Sequence, residues 1–176
     1  LGISYDEPTT VALSFSDDGA TPNNPHFPLL LHRAAFDAGG EDPAAAAEGL
    51  FAANGWGRFW RNGVYPYHHY HSSCHEALGV AKGWADIRFG GEAGETVRID
   101  AGDVAVLPAG TGHKCVDASA DFLIVGAYPA DQAYDLVRSD PAQHDAAVPR
   151  IAATPPPATD PVFGSGGGAC DRWRVG

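Results

Sequence analysis

Between Trp56 and Tyr128 the chain reads as short apolar runs separated by glycine and proline. Residues 65–71, 77–89, 96–99, 104–107 and 122–128 are rich in β-branched and aromatic side chains, and this pattern predicts strands. Residues 29–31, all leucine, predict an earlier strand, and glycines at 90, 91 and 94 mark a tight connection. Such a series of short strands predicts an all-β sandwich or barrel. Two helices are expected outside it. Asp42 can cap a helix over 43–53, Pro43 suits its first position, Asn54-Gly55 can end it, and Leu50 and Phe51 would anchor it to the sheet. Asp140-Pro141 opens a second over 141–148, which Pro149 limits.

The 176 residues are therefore expected to form one domain. Its barrel core spans about 29–128, with an arm of turn formers over 1–28 and a helical, then proline- and glycine-rich segment over 129–176. That last segment is expected as an extended strap across the barrel or as disordered chain.

Hydrophobic residues make up 44% of the chain, enough for a core without metal or disulfide staples. A formal net charge of -11 repels phosphate backbones and anionic lipid, so neither nucleic acid nor a membrane is an expected partner. Three cysteines without CxxC spacing are no disulfide framework. With no signal-peptide pattern in LGISYDEPTT and no apolar run longer than that from Phe122 to Pro129, the expected location is the cytoplasm.

The chemistry concentrates in Gly63–Gly83. His69 and His71 are two apart, so on a strand their imidazoles share a face. Glu76 follows after four residues, room for a bend that brings a carboxylate to the same centre, and His113 follows the Pro108-Ala109-Gly110 turn on a neighbouring strand. Three imidazoles and a carboxylate suit one divalent transition metal: Fe, Mn, Ni, Zn, Co or Cu. His75 rivals Glu76, because it keeps strand parity with His71 and would give an all-histidine site.

These residues carry a resemblance. Gly63, His69, His71, Glu76 and Gly83 match the first cupin motif, and Gly102, Pro108, Gly110 and His113 the second, with Asp117 where asparagine is usual. Gly55-Trp56-Gly57, Trp60-Arg61-Asn62-Gly63, the YHHYH run, Gly126-Ala127-Tyr128-Pro129 and Asp160-Pro161-Val162-Phe163-Gly164 resemble the uncharacterised bacterial cupins of the YjlB type. The resemblance implies a double-stranded β-helix, or jelly-roll barrel, with a metal site, and no particular substrate. It favours Glu76 over His75, because Glu76 keeps the motif's spacing to Gly83.

Around the metal, Tyr65 and Tyr67 share parity with the histidine pair and are candidates for the pocket, and Cys115 shares parity with His113. His68 is expected to point outward. Trp56, Trp60 and Arg61 are expected to pack between helix and sheet. The expected function is a metal-dependent enzyme, dioxygenase-like or an isomerase or lyase, acting on a small anionic or polar molecule. The alternative is a non-catalytic binding or sensing protein. Edge strands left by an open barrel make a homodimer the expected assembly.

Overall fold

The computed structural model describes residues 8–175, so the first seven residues of the expected arm lie outside the described residues. Its strands are β1 (Thr9–Leu13), β2 (Leu29–Arg33), β3 (Trp56–Asn62), β4 (His69–Tyr70), β5 (Glu76–Lys82), β6 (Trp84–Phe89), β7 (Glu95–Asp100), β8 (Val104–Leu107), β9 (His113–Ala118), β10 (Leu123–Pro129) and β11 (Val137–Arg138). Its helices are α1 (Pro43–Ala53), α2 (Pro141–Ala153) and α3 (Ala169–Arg172). The strands form a larger sheet, β1-β2-β8-β5-β10-β3, and a smaller one, β11-β4-β9-β6-β7, with antiparallel pairing throughout. This is the double-stranded β-helix that the motifs imply.

Alternation along the strands sorts the core into layers. Leu29, Leu31, Leu78, Val80, Leu107 and Ile124 of the larger sheet meet Ala85, Ile87, Phe89 and Ile99 of the smaller one inside the barrel. The intervening residues Leu30, Ala77, Val104, Val106 and Val125 face outward, where Ala44, Ala47 and Phe51 of α1 and the late Trp173 cover them. Fully burying a side chain such as Phe51 stabilises the fold by roughly 2 kcal/mol. Ala147 and Ile151 of α2 cover Tyr70 and Val137 on the outside of the smaller sheet.

The expected strand over 77–89 is two strands in different sheets. Gly83 separates them at φ +68°, where an added Cβ would collide with Ser119 Oγ. Apolar periodicity continues across this turn and so hides it. The expected strand over 65–71 contracts to β4, because Pro66 has no N–H to give a ladder. α2 runs on past Pro149 to Ala153; burial of Ile151 and the bond from Thr154 Oγ1 to the Ser72 carbonyl hold its last turn against proline's intrinsic cost.

The late segment is an ordered strap on the outer face of the larger sheet. Trp56 Nε1 donates to Thr159 O at 3.0 Å, Trp173 Nε1 donates to Pro28 O at 2.8 Å, and Asp160 is buried against His32 at 3.1 Å. Asp160 also accepts the backbone N–H groups of Val162, Phe163 and Ala169. No helix among the described residues is long and apolar enough to cross a membrane.

Candidate metal centre

Both sheets contribute to one buried cluster at an end of the barrel. From the smaller sheet, β4 supplies His69 and leads directly to His71, and His113 opens β9 directly opposite His69. Tyr70 between the two histidines points outward beneath α2, so the shared face inferred from the H-x-H spacing is present. Residues 72–75 then carry the chain across to the larger sheet. The Asp135 carboxylate pins this bend by accepting the backbone N–H groups of Ser72 and Ser73 and the Ser72 hydroxyl. Beyond the bend, Glu76 takes the inward parity of Leu78 and Val80.

One nitrogen each of His71 and His113 and a carboxylate oxygen of Glu76 lie within 4.8 Å of one another, all three residues buried. His69 borders this trio rather than joining it: its ring centre is 4.0 Å from that of His113 and 6.3 Å from that of His71. The expected set of four is thus a converged set of three with His69 alongside. Direct cross-strand pairing of His69 with His113 lays the two rings together.

Hydrogen bonding sets the imidazoles' direction. Each Nδ1 donates to a backbone carbonyl: His69 to Tyr67 at 3.0 Å, His71 to Asp135 at 2.5 Å and His113 to Thr111 at 3.1 Å. In the neutral tautomer this leaves a lone pair on Nε2, the orientation that a backbone-carbonyl partner at Nδ1 gives metal-binding histidines. Glu76 Oε2 stands 3.1 Å from both His71 Nε2 and His113 Nε2, yet is buried without a hydrogen bond of proper direction. The carboxylate oxygen and the two Nε2 atoms thus face one another at one point, where a protonated His71 pairs with Glu76 and a neutral one offers its lone pair. Glu76 Oε1 is held separately by the Tyr128 hydroxyl at 3.2 Å, which accepts from Trp60 Nε1 at 2.8 Å and therefore turns its proton toward the carboxylate.

Charge follows this geometry. Burial works to raise the Glu76 carboxyl, but His71 and His113 outweigh it and hold it below the usual range. Burial works to lower His71, and Glu76 more than offsets this, so His71 is raised. Burial, then His113, pushes His69 down to about 3. Without a cation, a proton on His71 supplies the charge that keeps this carboxylate ionised, and a bound divalent cation would take its place. Buried nitrogen and carboxylate donors with a free oxygen at their focus fit a first-row divalent cation.

His75 is excluded from this focus. Its Nδ1 accepts the Ala109 N–H at 2.9 Å and its Nε2 donates to Pro155 O at 2.8 Å, so both nitrogens serve the fold. Burial pushes its pKa down to about 4 and keeps it neutral.

The cluster forms the floor of a cavity of about 730 Å³. Of the pocket candidates, Tyr65 lines it, half exposed at the mouth; Tyr67 does not, being stacked on Tyr65 at 5.0 Å beneath the Arg138 guanidinium at 3.9 Å. Cys115 packs against the barrel core as its parity predicts, but is only partly buried, opposite Ile87 and off the cavity wall; burial raises its thiol pKa. Trp60 belongs to the wall and not to the helix–sheet contact, whereas Trp56 is buried under α1 and Arg61 pairs with Glu48 of α1 at 2.7 Å. His68 turns away to Glu92 at 2.8 Å. Tyr128, Tyr134 and Arg58 are wall residues that the sequence reading did not single out. Inward parity with Ile124 and Gly126 was the available signal for Tyr128.

No protein-family model matches the chain. It is 40% identical over 158 residues to the uncharacterized protein YjlB of Bacillus subtilis (strain 168), covering 90% of this chain and 93% of that protein. The chain belongs to the YjlB family. Among solved structures it is similar to an uncharacterized Klebsiella pneumoniae protein with a double-stranded β-helix domain, at 14% identity and TM-score 0.38 over 80% of this chain and 90% of that one. It is also similar to a mutant form of Bacillus subtilis oxalate decarboxylase, at 17% identity and TM-score 0.36 over 77% and 29% of the two chains. A third similar structure is Bacillus anthracis acireductone dioxygenase with cadmium in its active centre, at 15% identity and TM-score 0.34 over 48% and 57%.

Proposed function

We propose that this member of the YjlB family binds one divalent transition metal at the trio of His71, Glu76 and His113, with the adjacent His69 as fourth ligand, and is a metal-dependent enzyme for a small molecule. The observation that carries the reading is the focus itself: tautomer-oriented imidazoles and an unpartnered, buried carboxylate oxygen at the floor of a ligand-sized cavity. The ion, when bound, would supply Lewis acidity at a substrate oxygen or a redox partner for dioxygen. The protein's own part is to orient Glu76 through Tyr128, to keep the imidazoles aimed through their carbonyl partners, and to exclude water with Trp60, Leu78 and Leu136. Reduced, unpaired cysteines accord with a cytoplasmic setting, and the edge strands β1, β3, β7 and β11 leave room for a homodimer.

The test loads stripped protein in turn with Fe, Mn, Co, Ni, Zn and Cu ions and presents carbonyl and enediol compounds. Oxygen uptake and product masses are followed beside a His71→Ala control. Turnover that needs both ion and His71 is expected. A loaded wild-type protein with no turnover above the control would contradict the enzymatic reading.

A further inference from the structure

β3 contains an irregularity that the metal cluster does not require. Gly57 pairs with Tyr128 and Trp60 with Gly126, so Arg58 and Phe59 together oppose Ala127. This is a β-bulge, and it reverses the strand's parity: Trp56 faces α1 while Trp60, four residues on, faces the cavity. The first bulged residue is Arg58, at φ +55°. That left-handed conformation suits glycine and strains any residue with a Cβ. Ala34 adopts a similar angle at φ +50°, so the conformation assigns no role by itself; the surroundings of the Arg58 guanidinium do.

The guanidinium lines the cavity, is steadied by a bond from Nη2 to Pro129 O at 2.8 Å, and lies 5.2 Å from the centre of the Tyr128 ring. Tyr128 in turn touches Glu76, so one aromatic ring separates the cation from the metal cluster. Among the described residues no carboxylate lies within ion-pair distance of Arg58, whereas Arg61 at the same rim is engaged by Glu48 and Asp42. Glu76 is the one carboxylate of the described wall. In a chain of net charge -11, this leaves a local positive field over an otherwise largely apolar cavity.

We propose that Arg58 binds the carboxylate of an organic anion whose apolar body lies between Trp60, Leu78 and Leu136, with its other end toward the His–Glu cluster. The inference deepens the metal-site reading and rests on it for the ligand's far end, but the contact to Arg58 needs no ion. The free guanidinium N–H groups supply charge-assisted bonds to a carboxylate, and the cavity has ample room for a one-ring acid.

The test uses phenylacetate, 3-phenylpropionate and cyclohexanecarboxylate against their matched amides, by calorimetry, on Co²⁺-loaded and on EDTA-stripped protein. Wild-type protein should prefer each acid to its amide by at least about tenfold. Arg58→Gly should weaken the acids by roughly 10- to 100-fold, leave the amides nearly unchanged, and melt no lower than wild type, because glycine accepts the backbone angle. Arg58→Lys should restore part of the preference. Equal binding of acid and amide by wild-type protein, or acids held as tightly by Arg58→Gly, would overturn the proposal. Failure of the metal reading shows separately, as wild-type protein that takes up no Co²⁺ while the Arg58 effect persists in the stripped form.

Discussion

Glu76 Oε2 has no hydrogen-bond donor while His71 and His113 are neutral, because each then spends its single ring proton on a backbone carbonyl. A buried carboxylate oxygen in that condition is costly unless a cation meets it. His75, one residue earlier, has the opposite role, with both nitrogens satisfied by main chain. His75→Ala should therefore leave metal content near wild type but destabilise the fold by about 2–4 kcal/mol, since the Ala109 N–H and Pro155 carbonyl lose their partner and a cavity opens. Chemical denaturation together with metal analysis checks this; loss of metal without loss of stability would contradict it. The sequence showed the H-x-H pair and the gap to Glu76, because strand parity is a local property. It left His75 and Glu76 as rivals, since what decides between them is contacts with Ala109, Gln132 and Pro155, all far along the chain.

Elements rather than single residues set the cavity wall. The bulge in β3 turns Trp60 inward, and Gly126 opposite it leaves the space: a Cβ there would collide with the indole of Trp60. Gly126→Ala should displace the indole and break its bond to Tyr128. The expected result is a loss of about 1–3 kcal/mol of stability, a changed near-ultraviolet signal and weaker metal binding. Unchanged melting and metal affinity would show that Trp60 does not support Glu76. α1 was legible to the residue because Asp42, Pro43 and Asn54 carry its signals locally. The inward turn of Trp60 was not, because a bulge has no signature here beyond an arginine in a glycine's conformation. The extension of α2 through Pro149 was hidden for a related reason: packing of Ile151 against Tyr70 and Val137, not helix propensity, decides it.

At the scale of the whole molecule, the two sheets, the helices on their outer faces and the strap act together to hold the cluster. The strap's buried anchor is Asp160. Burial tends to raise its carboxyl, but the His32 contact and the backbone N–H groups of Ala169 and Phe163 outweigh this and lower it. A carboxylate lowered in the folded state contributes its full stability above its unfolded pKa of about 3.9, and loses it as pH falls through the lower folded value. Trp173 fluorescence should therefore report a loosening of the strap below about pH 4, and Asp160→Asn should loosen it at neutral pH and flatten the acid step. An acid midpoint unchanged by that substitution would contradict this. Light scattering at micromolar concentration should give the mass of a dimer of 18.4 kDa chains; a monomer alone would overturn the proposed assembly. The two motifs made the barrel and its candidate metal centre visible in the sequence, whereas the strap's course was not, since His32 and Asp160 meet across most of the chain. The most direct measurement is the metal content of protein purified without an affinity tag and incubated with a divalent ion. Wild-type protein should hold one ion per chain, and His71→Ala and Glu76→Ala should each hold far less while keeping the wild-type far-ultraviolet spectrum. Wild-type protein that retains no ion, or a folded Glu76→Ala that retains a full one, would contradict the assignment of this centre.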